Sequence, residues 1–377
     1  MKKILIFTSY FIPGYLGGGP IKSIANLTNL LSGDYEFFVL TKNYDLGRKK
    51  QPYNISTNKW IRLNKFQIKY LTDVQYKMFV LSNILKIKPD VIYFNSFFSM
   101  TTQLNLIKVR ICQLFGHKIK IVVAPRGEFD EGAMSLSNFK KEIFIKFFKI
   151  FRYRDIVFQA TSSIEYNFIC SKFPKNRITL AQNIPATQAI ETPRKKVAFI
   201  SKFIFYSRIT PKKNLLFALD ILADLKIEGK LEFVVVGPAE DEEYYNQCLL
   251  KKEAMPANIS VDFLGPKFPY EIEEILGQQD FFFFPTLGEN YGHVIYESLS
   301  QGLPVLISTE TPWKEGGLDN GIFASTLDNK NYFVDTIMLL HKMNDLEYQI
   351  LSRKARVSAF NSFDSEEIKK EYSILFS

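Results

Sequence analysis

The chain has 377 residues, 46% of them hydrophobic and 23% charged, with a formal net charge of +9. That length exceeds what one hydrophobic core ordinarily supports, so two α/β domains with a cleft between them are expected, and the composition excludes a disordered or fibrous chain. The positive balance points to an acidic partner such as phosphate, nucleic acid or anionic lipid, and charge alone does not choose among them.

The N-terminal MKKILIFTSYF reads as a first β-strand, because polar Thr8 and Ser9 cut the apolar run short and no small-residue cleavage site follows. Apolar runs and helical patterns then alternate: strands at 4–8, 37–40, 91–95, 119–124 and 156–160, helices at 21–31, 76–85, 104–115 and 139–151. This is the rhythm of βα units and a parallel sheet. Around Asn183 the pattern breaks into NIPATQAIETPRKK, a linker marked by Pro185 and Pro193, and the domain boundary is placed between residues 190 and 191.

A second series follows. It runs through a strand at 197–206, a helix from about Lys213, the strand LEFVVVG, a helix near Glu242, the strand ISVDFLG, a helix near Glu273, the strand FFFFP, a helix from Gly292 and the strand PVLIS. This second half, 191–360, is the clearer Rossmann-like unit. A last helix near 366–375 lies in a C-terminal segment, 361–377, expected to pack back toward the N-terminal domain. Nowhere does an apolar stretch approach the roughly 20 residues that span a bilayer, so a cytoplasmic protein is expected. Cys112, Cys170 and Cys248 show no metal-ligand spacing and read as reduced thiols.

Chemistry concentrates in the second half. In FYSRITPKKN, Arg208 lies just past a strand and Lys213 at a helix start, with Lys212 beside it. Ligands of doubly wound domains sit outside the carboxyl ends of strands, where helix N-termini already favour anions, so two cations there suit a diphosphate. A solvated basic turn is the competing reading. In FFFFPTLGENYGHVIYESLSQGLPVLIS, an apolar strand ends at Pro285 and a loop carries Glu289 toward a helix carrying Glu297. Glu297 can accept from a vicinal diol such as the ribose hydroxyls, Glu289 can reach hydroxyls of a donor sugar, and Gly292 lets backbone amides approach phosphate. Two exposed glutamates on a capped helix are the alternative.

Together, SRITPKKN and GENYGHVIYESLSQGLPV resemble retaining glycosyltransferase family 4, whose members have the GT-B fold, and Glu289–Glu297 is similar to that family's E-x7-E motif. The resemblance implies an α/β GT-B chain of two Rossmann-like domains with parallel sheets facing a central cleft, 1–190 serving the acceptor and 191–360 the nucleotide-sugar. It implies that Arg208, Lys213 and Glu289 act in catalysis, the first two holding the donor diphosphate. Gly18, Gly19, Asn290, Tyr291, Gly292, His293 and Glu297 would then bind the donor, Glu297 through its ribose. SYFIPGYLGGGP and VAPRGEFDEGAMSLSNFKK are similar to bacterial polysaccharide-assembly members.

In the N-terminal half, Gly17, Gly18 and Gly19 lack the G-x-G-x-x-G spacing of a dinucleotide fingerprint. They read either as a loop presenting amides to donor or acceptor, as the resemblance implies, or as a surface turn. Arg126 and Glu128, past the strand IVVA, are placed on the acceptor side or in a salt-bridged turn. Family members often carry a histidine where this sequence reads FNSFFSM, so Asn95 or Ser96 takes that place. His293 alone lies near the chemistry, His117 and His341 being read as structural or exposed. Residues 138–154, NFKKEIFIKFFKIFRYR, place Ile143, Phe144, Phe147, Phe148 and Phe151 on one face with basic residues nearby. Peripheral contact with an anionic membrane and a core-facing helix both remain open there.

The expected reaction is glycosyl transfer from a nucleoside-diphosphate sugar to a hydroxyl of a glycan or lipid-linked glycan, with retention and in cell-surface polysaccharide synthesis. No Asp-x-Asp motif appears, and no metal or other cofactor is expected. An epimerase on a similar scaffold and a non-catalytic nucleotide or glycan binder are the rivals. A nucleic-acid partner is not expected, since no RNP, KH or helix-turn-helix signature is present.

Overall fold

The computed structural model describes residues 1–129, 138–150, 155–185 and 195–377. The chain forms two compact units, one of Met1–Ile184 with Asp364–Ser377 and the other of Pro185–Phe363.

The first unit runs β1 (Lys2–Phe7), α1 (Gly19–Leu30), β2 (Tyr35–Lys42), β3 (Trp60–Leu63), β4 (Phe66–Leu71), α2 (Asp73–Ile87), β5 (Val91–Phe94) and α3 (Met100–Leu114). It continues with β6 (Lys120–Val123), α4 (Asn138–Ile150), β7 (Val157–Ala160), α5 (Ser163–Lys172) and β8 (Arg177–Leu180). The sheet order is β3-β4-β2-β1-β5-β6-β7-β8. Every pairing is parallel except β3 with β4, an edge hairpin that turns at Asn64 in the left-handed region. Its Trp60 packs edge-on against Phe38, with the Lys69 ammonium 4.9 Å from the Trp60 ring. The central strands are buried on both faces, which is why β1, β5 and β6 read as unbroken apolar runs.

Much of the phenylalanine content packs beneath this sheet. The Phe97 ring lies within 5.9 Å of the ring centroids of Phe98, Phe129, Phe144, Phe148, Phe158 and Phe173. Helix α4 contributes to this cluster, and here the sequence reading of its apolar face needs correction. Ile145 and Phe148 are buried and Phe144 packs on the core, whereas Ile143 is 50% exposed on another side of the helix. The Phe144 and Phe148 rings turn inward, where Phe97, Phe98, Phe158 and Phe173 offer them edge-to-face and tilted partners. The Phe147 side chain and residues 151–154 lie outside the described residues.

The second unit runs β9 (Ile200–Tyr206), a 3₁₀ turn at Pro211–Lys213, α6 (Leu215–Asp224), β10 (Lys230–Val236), α7 (Glu242–Lys252), β11 (Ile259–Gly265) and α8 (Pro269–Gly277). After these come β12 (Phe281–Phe284), α9 (His293–Ser300), β13 (Val305–Ser308), β14 (Ile322–Ser325), α10 (Lys330–Lys342) and α11 (Asp345–Asn361). All its strands are parallel, in the order β11-β10-β9-β12-β13-β14. This is a doubly wound sheet whose order reverses between β9 and β12, the place where such sheets open a crevice for ligands. The four phenylalanines of β12 are fully buried at its centre.

A final helix, α12 (Ser365–Phe376), belongs to the first unit. The Lys2 ammonium donates to the Phe376 carbonyl (3.0 Å), and the Phe376 ring packs edge-on against Tyr35 and Tyr93. Among the described residues, no helix is long and apolar enough to cross a membrane.

Candidate functional site

In the second unit the switch point is built from the loops that follow β9, β10 and β12. The chain leaves β9 at Ser207–Arg208, and Gly237, the first residue after β10, lies against it. A Cβ on Gly237 would sit 1.8 Å from the Ser207 carbonyl oxygen, and its φ of +146° is glycine's own. Only glycine therefore lets these two loops approach, and Arg208 reaches across them. Its Nη1 donates to both Glu240 carboxylate oxygens at 3.0 Å, with the arginine side chain still 40% exposed.

The Pro211–Lys213 turn is fixed from the β12 side. The Lys212 carbonyl accepts from the Leu287 amide (2.8 Å) and the Thr286 hydroxyl (3.1 Å), and the Glu289 amide donates to the Glu310 carbonyl (2.9 Å). These ties bring the Lys213 ammonium onto Glu289 Oε1 and 5.6 Å from the centroid of the Phe284 ring. Burial holds Lys213 below the ordinary lysine value, with Arg208 and Lys212 acting in the same direction and Glu289 opposing them. Arg208, Lys212, Lys213 and Glu289 thus share one electrostatic neighbourhood.

Past Glu289 and Asn290, the chain turns at Gly292 into α9. Gly292 has a φ of +76°, and a Cβ there would meet the Ile295 side chain at 2.8 Å. No side chain caps this helix, so the positive end of its dipole faces the loop. Trp313 Nε1 donates to the Tyr291 carbonyl (2.7 Å) and pins the turn, and the His293 ring lies 4.9 Å from that of Tyr291. Glu297, four residues beyond His293 and so on the same helix face, is half-buried. Burial, with Tyr296 and the Glu297 carboxylate nearby, pushes the Tyr291 phenol well above its usual value.

In the first unit the glycine loop follows β1, and a residue absent from the sequence reading organises it. Asp45, buried after β2, accepts from the amides of Tyr15 (2.8 Å) and Leu16 (3.0 Å) and from that of Leu46 (2.8 Å). The Tyr70 hydroxyl holds the Ile12 carbonyl at 2.5 Å. Gly18, with a φ of +65° and open space where a Cβ would be, caps α1, which Gly19 begins.

Asn95, at the end of β5, donates to the Pro20 carbonyl (3.1 Å) and accepts from Arg126 Nε (2.8 Å). Arg126 stands in the left-handed region at a φ of +57° and also donates to Asn183 Oδ1 and to the Tyr93 hydroxyl (2.7 Å). Tyr93 passes the network to Gln159 (2.5 Å), and Gln159 donates to the Tyr372 hydroxyl of α12 (3.0 Å). A bulky residue at positive φ is strained, and these side-chain partners hold it there. Glu128 accepts from the Ser96 hydroxyl (2.5 Å) and the amides of Phe97 (2.6 Å) and Phe98 (3.0 Å), which makes it the clamp of the β5–α3 loop. Desolvation raises its pKa against those bonds.

The structure therefore joins Lys213 directly to Glu289, sets Arg208 close enough to act on Lys213 electrostatically while Glu240 holds it, and places Asn290, Tyr291 and Gly292 on the β12–α9 loop with His293 and Glu297 on α9 itself. It joins Asn95 and Arg126 to each other and Asn95 to the start of α1. His341 is buried, with Nδ1 2.9 Å from the Ser201 hydroxyl and Nε2 2.7 Å from the Glu228 carbonyl, and the three cysteines are free thiols. Glu240, Asp45, Tyr93 and Asn183 escaped the sequence reading, since each is a single polar residue whose partner lies far along the chain.

Residues 192–353 match the family described as glycosyl transferases group 1. No curated protein matches the chain. Among solved structures, sucrose-phosphate synthase from Thermosynechococcus elongatus is similar with a TM-score of 0.72 at 13% identity, over 100% of this chain and 98% of that one. The Anabaena protein HepE in complex with UDP and glucose gives 0.70 at 14% identity, over 100% and 99%. WaaG, a glycosyltransferase involved in lipopolysaccharide biosynthesis, gives 0.66 at 10% identity, over 99% of each. The chain thus has the α/β GT-B fold with two parallel-sheet domains, the second of them carrying the glycosyl transferases group 1 match.

Proposed function

We propose that this protein is a retaining glycosyltransferase of family 4 that moves a sugar from a nucleoside-diphosphate donor to a hydroxyl of a glycan or lipid-linked glycan in cell-surface polysaccharide synthesis. The observation that carries the reading is the cluster of Arg208, Lys213 and Glu289 at the switch point of the second sheet, beside the N-terminus of α9. Structures of the similar HepE hold UDP with glucose, and UDP-glucose, and WaaG acts in lipopolysaccharide biosynthesis, which supports the donor class and the setting.

In the reaction, the bond from the anomeric carbon to the diphosphate oxygen breaks as the acceptor oxygen bonds to that carbon from the same face. The acceptor's proton passes to the departing diphosphate. Arg208, Lys213 and the α9 dipole stabilise the charge that grows on the leaving group, supplying electrostatically what a metal ion supplies elsewhere. Glu289 orients the donor sugar and Glu297 accepts from the ribose hydroxyls, with Asn290, Tyr291, Gly292 and His293 shaping the donor site. Gly18 and Gly19 are assigned to the donor, and Asn95 and Arg126 to the acceptor. A cytoplasmic setting belongs to the same reading, and any peripheral contact with the inner membrane face would run through the exposed side of α4 that carries Ile143, because Phe144 and Phe148 pack on the core.

The test is a calorimetric panel of nucleoside diphosphates and their sugar conjugates on the wild type and Glu297→Ala. One base should bind selectively, and losing a charge-assisted ribose contact should weaken it by about tenfold or more. Equal affinity in the two proteins removes the ribose assignment, and no binding to any member of the panel removes the transferase reading.

A further inference from the structure

The first unit contains a cavity of about 310 Å³ that none of the site residues above explains. It is lined by Lys42, Lys49, Asp73, Tyr76, Lys77, Leu104, Asn105 and Lys108. Lys42 ends β2, Asp73 begins α2 just after β4, and Asn105 and Lys108 lie on α3, so the cavity opens at the carboxyl edge of the sheet. Sequence spacing builds both walls: Asp73, Tyr76 and Lys77 share one face of α2, and Leu104, Asn105 and Lys108 share one face of α3.

Two features mark it as a site for a ligand. Asn105 is only 1% exposed, yet among the described residues neither its side-chain nitrogen nor its oxygen has a hydrogen-bond partner. Buried amides are almost always satisfied, and one that is not, in the wall of a cavity, has a donor and an acceptor to offer a ligand or a water. The charge is also unbalanced. Four lysines face a single carboxylate, Asp73, which lies 2.7 Å from the Lys49 ammonium, 3.5 Å from that of Lys42 and 2.8 Å from the Tyr44 hydroxyl. The Lys108 ammonium donates to the Lys77 carbonyl (2.6 Å), which fixes it at the rim, and partial burial holds it below the ordinary lysine value. A cation short of water gains more from an anionic partner than a fully hydrated one.

We infer that this cavity binds an oxyanion, a phosphate or carboxylate, held by the lysines and the Asn105 amide and carried on the acceptor. That the anion belongs to the acceptor rests on the proposed function, whereas the anion site itself does not. Its position at the carboxyl edge of the first sheet, with the Lys42 ammonium 5.8 Å from the Tyr10 ring of the glycine loop, puts it beside the segment assigned to substrate.

The experiment uses the full chain at constant ionic strength, titrated with inorganic phosphate and separately with acetate. Binding is followed by calorimetry and by the side-chain amide resonances of Asn105. Phosphate or acetate should bind and move those resonances, and whichever binds more tightly names the anion. Charge reversal at the exposed Lys49→Glu and Lys77→Glu should weaken it by about tenfold or more. Asn105→Leu should lose binding while the protein unfolds no more easily, since it removes a buried unsatisfied amide. Undiminished binding in Asn105→Leu, or no binding of either anion by a protein that still binds a nucleoside diphosphate, overturns this inference alone. Anion binding without any nucleoside-diphosphate binding keeps the site and overturns its assignment to the acceptor.

Discussion

Lys213 and Glu289, separated by 76 residues, meet as an ion pair in which the two side chains are only 10% and 17% exposed. Neither charge is well hydrated, so each depends on the other, and on whatever anion arrives at Lys213.

Removing one partner should therefore do more harm than removing both. Lys213→Met leaves an uncompensated carboxylate and should destabilise the second unit by about 3 kcal/mol in chemical denaturation, the lower end for breaking a buried pair. Lys213→Met with Glu289→Leu should recover most of that stability without recovering affinity for a nucleoside diphosphate. Recovery of both would show the pair to be purely structural.

Gly237→Ala should be among the more damaging single-methyl additions in the chain. The new Cβ would meet the Ser207 carbonyl at 1.8 Å in a backbone conformation that alanine avoids, so a loss of about 2 kcal/mol or more is expected. Because the displaced strand end carries Arg208, donor affinity should fall as well. Thermal melting and donor titration on the same preparation check both effects.

His341 gives the second unit an acid-sensitive point. Burial and nearby Lys196 lower its pKa from the ordinary 6.5 against the bond to the Glu228 carbonyl. The unfolded chain thus binds a proton at pH values where the folded chain does not, and stability rises with pH across the interval from the lowered folded value up to 6.5. Wild-type melting temperature should drop as the pH falls below 6.5, and His341→Gln should drop less steeply. Parallel curves for the two proteins would show that His341 does not titrate on unfolding.

Helix α4 separates a core role from a surface one. Phe148→Ala empties the centre of the phenylalanine cluster and should cost about 3–5 kcal/mol. Ile143→Ser on the exposed side should stay within about 0.5 kcal/mol. Vesicle flotation of Ile143→Ser, compared with the wild type, reads whether that side touches anionic lipid.

The alternation of apolar runs located β1, β2, β5, β6 and β7 and most of the second sheet, because strands buried on both faces leave a continuous hydrophobic signal. The β3–β4 hairpin, α5, β8, β14, α10 and α11 were not read from it. Short edge strands and helices with wide polar faces carry a weak pattern, and their burial comes from what they pack against, as Phe333, Ile337 and Tyr348 do. On α4, helical periodicity identified an amphipathic segment but put Ile143 on the wrong side and passed over Ile145, since the pattern fixes a moment and the neighbours fix its direction.

By itself the sequence determined the α/β class, the two series of βα units, and the two segments that bear Arg208 with Lys213 and Glu289 with Glu297. Each of these is local: a period, a loop after a strand, a helix start. The tertiary structure decided that Lys213 pairs with Glu289, that Arg208 is held by Glu240, that Asp45 fixes the glycine loop, and that Asn105 faces a lysine-lined cavity with its amide unsatisfied. Those are contacts between residues brought together only by the order of strands in a sheet, and no one-dimensional pattern encodes that order.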